Sequence, residues 1–287
     1  MMITASIPLP KTLLVAGQFT YIMGVINTTP DSFSDGGVHL DPDVAINAGV
    51  DMIDAGAHMV DVGGESTRPG SDPIDTDVEM ERAVPVIRGI MEKRPEAVVS
   101  IDTRRSRVAA AAIEAGAQII NDVSGFRDDL DMIGLAHDTG CAVIVMHMLG
   151  KPKTMQQTIE YNHFPEDIIE FFNERIETLQ AAGIAPNKII IDPGIGFGKT
   201  FDQNLILINR MDQFKTLGKP ILIGPSRKSF IGKILNLPEP ADRDMGTMAV
   251  ITAAILRGAD IVRVHSVSDA VQVSKMADAV IRERVEA

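Results

Sequence analysis

The sequence predicts an α/β fold, a single (β/α)8 TIM barrel over 21–287 preceded by an N-terminal cap segment over 1–20. Three observations carry that prediction. Short β-branched apolar runs recur eight times, at 21–27, 58–63, 98–102, 119–123, 142–147, 189–192, 221–224 and 261–265. Helical periodicity follows each, at about 42–56, 77–94, 105–116, 128–139, 165–182, 202–217, 243–257 and 268–284. The length of 287 residues matches one barrel of roughly 250 residues and leaves no second domain.

Each element has a local reason. The runs are continuously apolar rather than alternating, as strands covered by helices on one face and a packed interior on the other require. The first ends in Asn27, and the fifth begins at Cys141-Ala142, where the lone cysteine reads as a small core residue. Glycine stops close the helices at Gly56, Gly116, Gly140, Gly183 and Gly258. An open doubly wound sheet is the alternative, but eight regular repeats with no Pro/Gly/Ser-rich linker favour closure. The stretch 245–256 is nearly all apolar, with Met245, Met248, Val250, Ile251, Ile255 and Leu256. An outer barrel helix should keep one polar face, so this one is expected to bury its outer side in a homodimer.

Composition narrows the function. Hydrophobic residues make up 45% and charged residues 23%, ordinary for a packed domain. Twenty-seven Lys+Arg against 39 Asp+Glu give −12, which argues against a nucleic-acid partner. One cysteine excludes an internal disulfide and a cysteine-based zinc site. There is no apolar run of about 18 residues and no basic, then apolar, leader at the N-terminus. The expectation is a cytoplasmic protein without membrane contact.

The C-terminal ends of the eight runs are all polar, and in a barrel of this kind the chemistry sits there. In order they carry Asn27, Gly63-Gly64-Glu65-Ser66-Thr67-Arg68-Pro69, Asp102-Thr103, Asn121-Asp122, Met146-His147, Asp192-Pro193-Gly194, Gly224-Pro225-Ser226-Arg227-Lys228-Ser229 and Arg263-Val264-His265. Arg263 and His265 lie two apart and point to one side of their strand. With Arg68, Arg227 and Lys228 they read as an anion site, most simply for phosphate or diphosphate; an ion pair to a rim aspartate is the alternative for Arg263. Asp102, Asn121 and Asp192 suit a flat heterocycle with several N–H donors, or a Mg2+ ion that keeps most of its waters. Lys228 can be read as a Schiff-base lysine, but beside Arg227 a ligand donor is the better reading.

The long motifs Asn27-Thr28-Thr29-Pro30-Asp31-Ser32-Phe33-Ser34-Asp35-Gly36-Gly37, Asp61-Val62-Gly63-Gly64-Glu65-Ser66-Thr67-Arg68-Pro69-Gly70, Asp192-Pro193-Gly194-Ile195-Gly196-Phe197-Gly198-Lys199, Ser226-Arg227-Lys228-Ser229 and Arg263-Val264-His265 resemble those of the bacterial dihydropteroate synthase family, over about 20–285. The resemblance implies condensation of hydroxymethyl-dihydropterin diphosphate with para-aminobenzoate, a step of folate synthesis. It implies that Asp102, Asn121, Asp192 and Lys228 hold the pterin, with Met146 lining the slot, Arg263 stacked along it and Gly224 beside it. Asn27, Arg263 and His265 would hold the diphosphate, Asn27 through Mg2+. Phe33, Thr67, Arg68, Pro69, Phe197 and Ser229 would frame the aminobenzoate, its carboxylate near the helix that starts at Ser229, and loops 28–37 and 64–71 would close over the site. Asn27, Asp102, Lys228, Arg263 and His265 are the expected catalytic set. A pterin-dependent methyl carrier for a corrinoid partner, and a catalytically silent pterin-binding relative, are the competing readings. Ser266 departs from the Asp usual in the family, and Tyr161-Asn162-His163-Phe164 is atypical for the loop after the fifth strand.

Overall fold

The structure is a computed structural model that describes residues 6–9, 12–29 and 41–284. Phe33 and all but Thr28 and Thr29 of the loop 28–37 lie outside the described residues.

Two short strands, β1 (Ser6–Pro8) and β2 (Leu13–Val15), form an antiparallel hairpin. The barrel follows: β3 (Tyr21–Asn27), α1 (Pro42–Asp54), β4 (Met59–Gly63), α2 (Thr76–Lys93), β5 (Val99–Asp102), α3 (Ser106–Glu114), β6 (Ile119–Asp122), α4 (Asp131–Thr139), β7 (Ala142–Met146), α5 (Glu166–Ala181), β8 (Ile189–Asp192), α6 (Phe201–Asn209), β9 (Leu222–Ile223), α7 (Ser229–Leu235), α8 (Asp244–Leu256), β10 (Ile261–Val264) and α9 (Val267–Arg282). The eight-stranded sheet runs β8-β7-β6-β5-β4-β3-β10-β9, parallel throughout. A parallel bridge between Ile191 and Ile221 joins the two end strands and brings the sheet round on itself.

Strand alternation sorts the side chains into two cores. Val60, Val62, Ile189 and Ile191 face outward into the layer shared with the helices. Met59, Ile119, Ile144, Ile190, Leu222 and Ile261 face inward, in one buried cluster with Ile7, Leu9 and Leu14 of the hairpin segment. The hairpin therefore packs on the N-terminal ends of the strands and leaves the C-terminal ends as the mouth. Helix starts are capped as their sequences dictate: Asp41 and Asp75 accept from the backbone of Asp43 and Asp77, and Thr200 and Gln203 form a reciprocal capping box on α6.

Two helical stretches differ from the sequence expectation. The single helix expected over 202–217 is α6 followed by a 3-10 helix, Met211–Leu217. Between β9 and α8 the chain adds α7, the helix at Ser229 that the family resemblance implies and that periodicity over so short a span does not reveal. Among the described residues, no helix is long and apolar enough to cross a membrane.

Candidate active site

Asp61 is the hub of the barrel mouth. It lies on β4 two residues before Gly63, and strand alternation turns it into the interior, where it is fully buried. Its Oδ2 accepts from Arg263 Nε at 2.6 Å and from Asn121 Nδ2 at 2.9 Å. Arg263 Nη2 donates to Asp102 Oδ2 at 2.9 Å. Strands β4, β5, β6 and β10 thus meet through one guanidinium shared by two carboxylates. Asp61 stands inside a sequence motif that by itself assigns it no role. The signal was its parity with Gly63: an inward carboxylate in a barrel needs a buried partner.

This arrangement leaves acceptors unspent. Asp61 Oδ1, Asp102 Oδ1 and Asn121 Oδ1 are buried with no hydrogen-bond partner among the described residues. Buried polar atoms are ordinarily satisfied, so three such oxygens together mark a place for donors that come from outside. Burial raises the pKa of Asp102, Arg263 opposes the rise, and Asp61 adds to it.

Asp192 ends β8 in register with Met146. Its Oδ1 accepts from Gly194 N at 2.8 Å. Burial raises its pKa to about 6, against the Gly194 N–H and the charges of Arg263, Lys228 and Lys199. Lys228 is lowered to about 8 by burial and then by Arg263, with Asp192 and Asp102 pulling the other way. Its Nζ stands 4.2 Å from the centroid of the Phe197 ring, a cation–π contact. Phe197 packs in turn on a small buried cluster of Val123, Met146, Met148 and Met155. The structure therefore brings together Asp102, Asn121, Met146, Asp192, Phe197, Lys228 and Arg263.

The anion-binding side is less positive than the sequence reading held. Arg227 adopts a left-handed backbone (φ 58°) and gives its guanidinium to Asp244 at 2.8 and 2.7 Å. Arg263 is committed to Asp61 and Asp102, although its Nη1 makes no hydrogen bond among the described residues. Two of the four rim cations, Arg227 and Arg263, are thus paired with carboxylates, because half-buried charges need partners. His265 is neutral: burial, then Arg227 and Arg263, lower its pKa to about 4. Ser226 Oγ accepts from His265 N at 3.2 Å and stands 2.8 Å from Nδ1. Where the Ser226 hydroxyl donates to Nδ1, the neutral ring carries its hydrogen on Nε2 and is a donor there. The motif Ser226-Arg227-Lys228-Ser229 by itself assigns Ser226 no role. Ser229 opens α7 and is exposed, and Gly224 lies against the Arg263 side chain.

Thr67, Arg68 and Pro69 sit on the exposed loop after β4. Beneath them Glu65 accepts from Arg104 Nη2 at 2.7 Å, Arg105 Nη2 at 2.8 Å and Ile74 N at 2.9 Å. Arg105 also pairs with Glu79, whose Oε1 accepts from Thr103 Oγ1 at 2.6 Å, one residue from Asp102. This network ties the loop to the site, and the sequence reading missed it. Asn27 ends β3 half-buried at the same rim, in register with Gly63.

A family model described as pterin binding enzyme matches residues 23–265. A dihydropteroate synthase from Synechocystis is 44% identical, over 96% of this chain and 95% of its own length. A Yersinia pestis dihydropteroate synthase with a sulfonamide drug complex superposes with a TM-score of 0.90 at 38% identity, covering 97% of this chain and 100% of that one. A Xanthomonas albilineans dihydropteroate synthase with 4-aminobenzoic acid does so at 0.90 and 34%, covering 97% and 98%. With the family model spanning the barrel from β3 to His265 and relatives matched nearly end to end, the chain belongs to the pterin-binding enzyme family and stands among its dihydropteroate synthases.

Proposed function

We propose that this protein condenses hydroxymethyl-dihydropterin diphosphate with para-aminobenzoate to give dihydropteroate and diphosphate, a transferase step of folate synthesis. One observation carries the reading for this chain: Asp61 Oδ1, Asp102 Oδ1 and Asn121 Oδ1 lie buried at the mouth, without hydrogen-bond partners among the described residues. A pterin edge carries several N–H donors, and a carboxylate accepts them in parallel. Lys228 and Arg263 offset most of the charge of the three carboxylates, so that the ring enters a polar slot rather than a bare cluster of anions.

In the reaction the arylamine nitrogen forms a bond to the exocyclic methylene carbon, and the carbon–oxygen bond to diphosphate breaks. The amine then loses a proton to solvent or to the departing anion. Arylamines are weak nucleophiles, so departure of diphosphate is the demanding event, and electron release from the dihydropterin makes an S_N1-like route accessible. His265 Nε2–H, Arg263 Nη1 and Lys228 are the donors that can follow charge onto the leaving group. Thr67, Arg68, Pro69 and Phe197 would flank the arylamine and exclude water, with Ser229 toward its carboxylate.

The rim suits Mg2+ in one mode. Among the described residues, no three His, Cys, Asp or Glu side chains converge on a metal position. Asn27 supplies a single amide oxygen, the protein share that Mg2+ takes when substrate phosphates and water complete its shell. Bound there, Mg2+ would neutralise charge on the departing diphosphate.

The deciding assay is diphosphate release. It should require the pterin diphosphate, para-aminobenzoate and Mg2+ together; turnover that ignores either organic substrate would overturn the reading. Scrambling of an oxygen label within unreacted pterin diphosphate should occur before the arylamine bond forms. Its absence under turnover would replace the S_N1-like route with direct displacement.

The same reading includes a homodimer. α8 buries Met248, Ile251, Ala254 and Ile255 on the barrel but leaves Met245 81% and Leu256 51% exposed. Flanking α6 and α9 add Phe201, Leu205, Met276 and Val280 to that exposed surface. An apolar surface spread over three helices is what a subunit contact covers. Sedimentation should give a dimer, and Met245→Glu a monomer; a wild-type monomer at micromolar concentration would reject the contact.

A further inference from the structure

The turn after β8 is held by side chains that the reaction does not use. Lys199 is 2% exposed, and burial lowers its pKa to about 7; three acceptors lie within reach of its amine: Phe197 O at 3.0 Å, His147 O at 3.3 Å and His147 Nδ1 at 3.0 Å. Nδ1 accepts only from a neutral ring, and burial, then Lys199 and Arg127, hold His147 well below its ordinary pKa. Two further carbonyls of the turn are also taken. Gln156 Nε2 donates to Gly196 O at 2.8 Å, and the Tyr161 hydroxyl donates to Gly198 O at 2.8 Å. Two glycines let the turn come this close. A Cβ on Gly194 would lie 2.0 Å from His147 O, one on Gly198 2.6 Å from Leu149 Cβ, and both residues have positive φ. The segment after β7, including the atypical Tyr161, is thereby bolted to the turn that carries Phe197.

We propose that Lys199, seconded by Tyr161, is a positioning residue for the reaction: it pins the Phe197 carbonyl, and so keeps the Phe197 ring against the Lys228 amine on the arylamine side of the slot. The inference rests on the function proposed above. Neither Lys199 nor Tyr161 needs to touch substrate. Each acts on Phe197, whose ring stands 4.2 Å from Lys228 Nζ. A looser turn lets the ring drift and leaves the arylamine poorly seated, while the hydrogen bonds that join Asp61, Asp102, Asn121 and Arg263 lie outside the turn.

The test is two-substrate steady-state kinetics on the full chain. Lys199→Met should raise KM for para-aminobenzoate about tenfold or more, the loss of a hydrogen bond to a charged group. KM for the pterin diphosphate should stay within about threefold of wild type. Tyr161→Phe, which removes one neutral hydrogen bond at little risk to folding, should raise the arylamine KM alone by about fivefold. Parallel rises in both KM values, or an unchanged arylamine KM in Tyr161→Phe, would overturn the proposal. A readout independent of turnover separates this from failure of the parent reading. The chain has no tryptophan, so Phe197→Trp places a single fluorophore on the turn. Adding Tyr161→Phe to it should lower the fluorescence anisotropy; unchanged anisotropy would also sink the proposal. A wild-type protein without arylamine-dependent turnover would sink the parent reading instead.

Discussion

The floor and the mouth of the barrel are built on the same strands and obey opposite rules. On the floor, Met59, Ile119, Ile144, Ile190 and Ile261 pack with the hairpin residues Ile7 and Leu14, with little accessible surface left. Two residues further along, β4, β6, β8 and β10 place Asp61, Asn121, Asp192 and Arg263 in the interior instead. The floor stabilises by burial of apolar area. The mouth incurs the desolvation cost of buried charges, offset in part by the pairing of Arg263 with Asp61 and Asp102. Foldability and ligand capacity are thus separated along a single axis, a few ångströms apart.

Arg263→Met should strike the mouth hardest. It strands two buried carboxylates, and breaking such a pair from one side costs about 3–5 kcal/mol. Urea unfolding should show that loss together with loss of turnover. A stability change below about 1 kcal/mol would mean that solvent already compensates the pair. Met23→Ala tests the floor. Met23 is fully buried in the floor cluster, and its truncation should cost about 2–5 kcal/mol of stability while both KM values hold. A changed KM there would break the separation of floor from mouth.

Asp192→Asn should leave folding nearly intact and damage binding. It turns one acceptor into a donor facing ligand N–H groups, a loss of about 1.5–3 kcal/mol, or roughly tenfold to a hundredfold in pterin affinity. Calorimetric titration with a pterin ligand measures it; unchanged affinity would remove Asp192 from the slot.

How much of this was readable beforehand differs between the two regions. The strands were legible because a strand closed in by helices has to be apolar along its whole length. Asp102, Asn121, Asp192 and Arg263 were legible as polar exceptions at strand ends. Asp61 was not, because it sits two residues below its strand end, inside a run that reads as core. Arg227 misled for the reverse reason: its partner Asp244 is 17 residues away, and only the insertion of α7 brings the two together. The Glu65–Arg104–Arg105–Glu79 network likewise joins loop to helix across 26 to 40 residues, a distance over which residue spacing carries no signal.

The smallest expected effect concerns pH, and its sign follows from the mouth. The folded pKa of Asp192 is raised from an ordinary 3.8 to about 6, so the folded chain holds that proton more tightly than the unfolded chain. Whatever stability this provides is fully present below about pH 4 and is lost as pH rises through about 6. Lys228 is displaced downward to about 8 from 10.5, so its cost is present below about pH 8 and is relieved as pH climbs toward 10.5. Asp192→Asn abolishes the first dependence and deepens the second, because the Asp192 charge supports the Lys228 ammonium. Denaturation midpoints should therefore converge between wild type and variant near pH 4 and separate by pH 7, with wild type the less stable of the two. A gap of constant size across that range would mean that Asp192 is solvated at the mouth, and the contrast between a charged rim and a dry floor would lose its main support.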